Sequence, residues 1–514
     1  MQYINTRYAA RGTAWPIVLA LGVLVSTPLQ ADKIGEERSV YQRLEEGQEH
    51  RLNTYQLLRH GRLAFEAQWT PAEGGGRPLT GGTGEPLSNM SHPLVFPRNF
   101  NRVSAQDSNG CAGCHNAPFG MAGGGGDFVT GVFVGAQRFD FATFDASDGV
   151  VTSGAVQEDG ALVTLGSIGN YRATIGMFGS GFIEMLARQM TSDLQTIRDG
   201  LAPGGVATLS SKGVHFGSLG RRSNGTWDTS RVEGLPPQSL ASAGAGSPPS
   251  LVIHPFHQSG SVVSIRQFTN NAFNHHHGMQ STERFGRNVD ADGDGVVNEL
   301  TVADITATAL FQATLPVPQQ VMPESQAARR AVWRGEALFK EIGCAHCHVP
   351  ALPLFDKGWI YSEPNPYNPP GNLQAGERKS VSVDLTNSRL PGRRIKPKNG
   401  VVWVRAFTDL KLHDITSGPD DPNAEAININ HPAGSPEFLG GNTEFLTKKL
   451  WGAANERPYF HHGKFTTLRE ATMAHAGEAA DSRAAFAGLS EYQQAAIIEF
   501  LKSLQVMQPR QRRQ

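Results

Sequence analysis

The sequence predicts a mainly α chain of two related units, each built around a Cys-x-x-Cys-His pentad, with a β-containing insertion in or after the first. Three observations carry this. Cys111-Ala-Gly-Cys114-His115 recurs as Cys344-Ala-His-Cys347-His348. A helix bearing Gly-x-x-aliphatic-Phe precedes each pentad, as Gly61-Arg-Leu-Ala-Phe65 and Gly335-Glu-Ala-Leu-Phe339. The second unit closes on a helix from Glu491 to Leu504 whose apolar positions 496, 497, 500, 501 and 504 form one stripe.

Taken in order, the chain opens with Arg7 and Arg11, an apolar run from Ala14 to Val25, and Ser26 to Ala31 before the charged Asp32-Lys33. That is the form of a secretory signal peptide over residues 1–31, which predicts export to the periplasm; an uncleaved N-terminal anchor is the alternative. Residues 36–68 have helical spacing of apolar positions, and 70–92 are rich in Gly, Pro, Thr and Ser, as in a surface loop. Short apolar runs between turn residues in 127–170 predict a small β excursion. Ile183 to Leu201 returns to helix, and 203–250 reads as a long irregular connection. The first unit then spans 32–322 and the second 323–514.

Length and 39% hydrophobic content allow ordinary packed cores. Forty-six basic against 47 acidic residues exclude a nucleic-acid partner for the chain as a whole. All four cysteines lie in the two pentads, leaving none for disulfides. A redox dithiol needs no adjoining His, and paired zinc-binding Cys-x-x-Cys motifs usually sit much closer in sequence. The pentad is the spacing that ties a haem covalently to a chain, its thiols becoming thioethers and its His an axial ligand. The expectation is therefore two cytochrome c-like haem domains, with His115 and His348 as proximal iron ligands. No later segment is apolar enough for a membrane span in the mature chain.

Downstream runs Pro458-Tyr-Phe-His-His-Gly463, then Thr467-Leu-Arg-Glu-Ala471 and His475-Ala-Gly-Glu-Ala479, preceded by Phe407-Thr-Asp-Leu-Lys-Leu-His-Asp414 and Leu450-Trp-Gly452. With Asn274-His-His-His-Gly-Met-Gln-Ser-Thr-Glu-Arg-Phe-Gly286, these stretches resemble the bacterial di-haem oxidoreductase family of peroxidase-like proteins. That family is similar to di-haem cytochrome c peroxidases, to the di-haem enzyme that matures methylamine dehydrogenase and, more distantly, to rubber oxygenases. In the peroxidases a Met after the Thr-Leu segment closes the electron-transfer haem. Counting from Leu468 puts that position on His475 and not Met473, so the resemblance implies His475 as sixth ligand of the second haem. His461 and His462, before a turn Gly, read as backbone or propionate partners.

The first haem has no equally clear sixth ligand. His275, His276 and His277, followed by Gln280, Glu283 and Arg284, form the best-equipped distal set, because peroxide cleavage needs one group to move a proton and a polar donor for the departing hydroxide. The residues expected to be catalytic are His276, His277, Gln280 and Glu283. Asp290, Asp292, Asp294, the Val296 carbonyl and Asn298 match a calcium loop; Thr301 stands at the twelfth position, so Glu299 or Asp304 would have to complete the shell. Trp333 and Trp451 are candidates for an electron route. The expected function is a periplasmic di-haem c-type oxidoreductase that reduces hydrogen peroxide, or another small oxidant, at the first haem. A small electron-donor protein would supply it through the second haem. The alternatives are an electron-transfer cytochrome without catalysis, and a haem oxygenase or oxidase acting on an organic or protein substrate.

Overall fold

Two helix crossings organise the chain. In the computed structural model, which describes residues 34–75, 110–116, 118–125, 132–135, 155–156, 162–163, 169–290, 294–431 and 435–506, helix α1 (Thr54–Glu66) starts at an Asn53 cap. The Asn53 side chain accepts from the Gln56 backbone N–H, and the Gln56 side chain accepts from that of Asn53. The helix expected from residue 36 begins only here, because Gly47 takes φ 81° and the cap fixes the entry. The signal segment expected at 1–31 lies outside the described residues. The described residues from Arg38 onward form one unit.

Between the crossings the chain runs through α2 (Ser180–Asp199) and α3 (Ile265–His277), then α4 (Val302–Ala313). Helix α1 packs on α4 at Gly61, where a Cβ would lie 2.0 Å from the Ala307 carbonyl oxygen. Helix α5 (Gln326–Glu341) packs on α7 (Glu491–Ser503) in the same way: a Cβ on Gly335 would lie 1.9 Å from the Ala496 carbonyl oxygen. Only glycine lets two backbones approach this closely. Four residues beyond each glycine a phenylalanine meets the partner helix, Phe65 on Phe311 and Phe339 on Phe500, both with ring centroids 5.4 Å apart. The repeat therefore extends to Ala307-Thr-Ala-Leu-Phe311 against Ala496-Ile-Ile-Glu-Phe500.

The architecture is mixed, which corrects the mainly α expectation: six two-stranded sheets and one three-stranded sheet lie among the described residues. Antiparallel pairing of Val132–Gly135 with Gly169–Arg172 and of Ala155–Val156 with Leu162–Val163 falls in the region read as a β excursion. The stretch read as irregular from 203 to 250 instead contains the three-stranded sheet Val206–Ser211, Val214–Arg221 and Trp227–Asp228. Its hairpin turns at Lys212 and Gly213, both with positive φ (51° and 84°), the backbone that joins two twisted strands through two residues. After α7, Leu504–Gln505 pairs with Gln319–Gln320 and ties the end of the second half to the start of α5.

One core cluster joins Phe182, Leu186 and Leu310 to Leu352, Val404 and Leu410, so α2 and α4 pack on strands of the second half. Beneath it runs a buried ionic line. Arg266, with no exposed side-chain surface, donates from Nη2 to Glu283 at 2.5 Å and from Nη1 to Glu363 at 3.0 Å and to Thr306.

Candidate functional site

Each pentad sits at the end of a crossing. A Cβ on Gly110 would fall 2.0 Å from the Ala67 carbonyl oxygen, so the first pentad starts directly against the end of α1. His115 lies beside Phe65, ring centroids 6.3 Å apart, and His348 lies beside Phe339 at 6.2 Å. The His115 Nδ1 is 3.2 Å from the Gly124 carbonyl oxygen, and the His348 Nδ1 is 3.2 Å from that of Phe407. In the tautomer that donates from Nδ1, both rings keep Nε2 for a metal, the usual orientation of ligating imidazoles. Burial pushes both pKa values down to about 4, with His475 adding to the effect on His348, so both are neutral and in the ligating form near pH 7. Burial also pushes the Cys111 thiol up to about 12 and Cys344 up to about 11. Thiols held neutral in this way lack the thiolate character of a redox dithiol. These residues fit a covalently attached haem at each pentad.

At the second pentad, His475 follows α6 (Leu468–Met473), which Thr467 and Glu470 cap reciprocally. Its Nδ1 lies 2.8 Å from the Ala471 carbonyl oxygen, and its ring stands at 67° to that of His348 with centroids 6.5 Å apart. Two imidazoles on opposite sides of one metal, each bonded at about 2 Å with a further ~1 Å from nitrogen to ring centre, give a separation of about 6 Å. Phe460 stands edge-on to His475 at 5.4 Å. Met473 is 42% exposed and turned to solvent. His461 stacks on Phe445 at 3.8 Å, and His462 accepts from the Lys464 backbone N–H at 3.0 Å and lies 2.9 Å from the Asn423 side-chain oxygen.

Helix α3 brings His277 to the first pentad, where its Nε2 lies 3.7 Å from the Cys111 Sγ. His277 and Gln280 are buried, and Phe273 packs between His277 and Trp69. The backbone trace puts His275 at the same helix end. Glu283 stands apart from this group, because its carboxylate is held by Arg266 and by Asn270. Arg284 is turned toward Asn372 and the Gly371 carbonyl. In the acidic loop, Asp290 accepts from the Asp294 and Gly295 backbone N–H groups at 3.1 and 2.9 Å, and Asp294 from Val296 at 2.7 Å. Asn298 pairs with Asn288, and Asp292 lies outside the described residues. Neither expected twelfth ligand faces the loop: Glu299 accepts from the Gln280 backbone at 2.6 Å, and Asp304 caps α4 and contacts His60 at 2.6 Å.

Asp409, His413 and Glu478 carry no local spacing that marks a role. In the fold His413 lies between two carboxylates, with Nε2 2.8 Å from Asp409 and Nδ1 2.7 Å from Glu478, next to the Cys347 thiol. A metal held by Cys347, Asp409 and His413 would need the thiolate that haem attachment consumes. Trp333 is 61% exposed, on the solvent side of α5, whereas Trp451 is buried against Gly179 and Val317.

Residues 393–504 match the model of a family described as "di-haem oxidoreductase, putative peroxidase". The match covers 112 of the 514 residues, so the likeness is to this segment alone. The matched segment contains Phe407, Asp409, His413, Trp451, His475, Glu478 and Phe500, and begins after the second pentad. Among solved structures, hydrazine synthase of Kuenenia stuttgartiensis is similar at 14% identity and TM-score 0.22, over 62% of this chain and 87% of that one. A MauG-like protein associated with microbial copper homeostasis is similar at 17% identity and TM-score 0.23, over 63% and 88%. Both likenesses are too loose to bear on function. No curated protein matches the chain.

Proposed function

We propose that the protein is a periplasmic c-type di-haem peroxidase with two cytochrome c-like domains, in which His348 and His475 hold the electron-transfer haem and His115 the reactive one. The 6.5 Å separation of the His348 and His475 rings carries this reading, because two imidazoles so spaced would hold a haem iron between them and suit it to electron transfer rather than to peroxide uptake. Bound haem supplies the redox chemistry. Peroxide reduction to two waters consumes two electrons and two protons. Beside the first pentad, the His277 imidazole moves a proton between the peroxide oxygens and Gln280 offers a donor to the departing hydroxide. Glu283 acts through Arg266 and Asn270 as a positioning residue for α3. A small electron-donor protein supplies the second haem. The acidic loop is a weak calcium site formed by Asp290, Asp292, Asp294, Val296 and Asn298, since no carboxylate fills the twelfth position.

Replacing His277 by Gln is expected to lower peroxide turnover per haem by about 10²-fold while the spectrum of the second haem stays unchanged. Unchanged turnover would remove His277 from the reaction. Two low-spin haems that never open on half-reduction would leave an electron carrier in place of a peroxidase.

A further inference from the structure

A cavity of about 710 Å³ lies between residues 317–320, 393–407, Trp451 and Leu504. Its floor is apolar, with Phe407, Trp451 and Leu504 among the residues that form it, and neither pentad nor His475 lines it. Its mouth is cationic: Arg393, Lys396 and Lys398 are exposed there, beside a half-exposed Trp403. Among the described residues none of these three cations meets a carboxylate; Arg393 donates to the Gln319 side chain. Arg405 completes the rim, paired with Glu336 at 3.3 Å and lying 5.7 Å from the centre of the Phe407 ring.

Arg394 belongs to the wall in a different way. Its guanidinium donates to the Thr314 carbonyl at 2.6 Å and to that of Leu315, closing the C-terminal end of α4. Burial lowers its pKa to about 10, which leaves it charged near pH 7. One half-buried and three exposed cations around an apolar floor differ from an ordinary solvated lysine face, where the charges surround no cavity. Low-dielectric walls focus such a field on whatever enters. The size suits a small molecule, and the pattern of apolar walls with a few convergent charges is that of ligand sites.

We infer that this cavity binds an organic anion with a flat apolar body, its carboxylate or equivalent held by Arg393, Lys396 and Lys398 and its body against Trp403 and Phe407. The location gives the site a connection to the second pentad, because Phe407, which lines the cavity, is also the residue whose carbonyl lies 3.2 Å from the His348 Nδ1. The inference rests on the cavity and does not require the peroxidase reading.

The test is calorimetric titration of the haem-loaded full chain with 2-naphthoate, and with the neutral 2-naphthamide as comparison. Saturable binding of one naphthoate per chain is expected, at least about tenfold weaker in an R393Q/K396Q/K398Q variant and in W403S, and unaltered in K379Q. Arg394 is left intact so that α4 stays capped, and an unchanged haem spectrum and melting temperature confirm folding. Equal binding of naphthoate and naphthamide, an unchanged affinity in the triple variant, or no saturable binding would each overturn the assignment. The last outcome includes the case in which haem propionates already fill the space.

Discussion

His413 shows how a side chain can be buried and still charged. Burial opposes charge on the imidazole, but the hydrogen bonds to Asp409, Cys347 and Glu478 outweigh it and push its pKa up to about 12. The hydrogen bond from His413 in turn holds the Glu478 carboxyl below its usual range. A folded pKa above the unfolded value of about 6.5 means that the His413 contribution to stability is fully present below about pH 6.5 and is lost as pH rises toward 12. His413→Gln should therefore destabilise more at pH 6 than at pH 10 in urea melts, and an equal loss at both would show that the residue acts by shape alone. Arg266 is the second decisive residue. Arg266→Met leaves Glu283 and Glu363 buried without their cation and is expected to cost about 3–5 kcal/mol, read as a lower urea midpoint at unchanged slope. Neither role was legible in the sequence, because the partners of Arg266 lie 17 and 97 residues away along the chain.

At the level of elements, the two glycine crossings are the most constrained contacts. A methyl group at Gly61 or Gly335 must push one helix off its partner, so Gly335→Ala should cost about 1–3 kcal/mol and loosen Phe339 against His348. Thermal melting checks the first effect, and broadening of the low-spin spectrum of the second haem checks the second. The crossing was half legible: Gly-x-x-aliphatic-Phe was visible in α1 and α5, but α4 and α7 share only Ala and Phe four apart. The acidic loop has the opposite history. Its Asp and Gly spacing was plain, and the Asp290 bonds to the following backbone suit it, but Glu299 turns inward to Gln280. Calorimetry on chelated protein should show weak calcium uptake, and none at all would leave the loop as a self-bonded turn.

On the scale of the molecule, two chemically alike pentads are given unequal surroundings. The second has one imidazole beside it, just after a short capped helix, and the first has the end of α3 with its cluster of polar side chains. Two imidazole ligands favour oxidised iron more than imidazole with thioether, so His475→Met should raise the potential of one haem in a redox titration and leave the other in place. A shift of both, or of neither, would count against His475 as the ligand of the second haem alone.

By itself the sequence determined the pentads, the helix that leads to each, and the run that contains His475, because these depend on short-range spacing. Tertiary structure decided which histidine faces which pentad, why Met473 turns to solvent, and that Glu283 serves Arg266. Such choices depend on contacts between segments far apart in the chain, where burial makes an ion pair or a neutral imidazole favourable and where no local pattern records the partner.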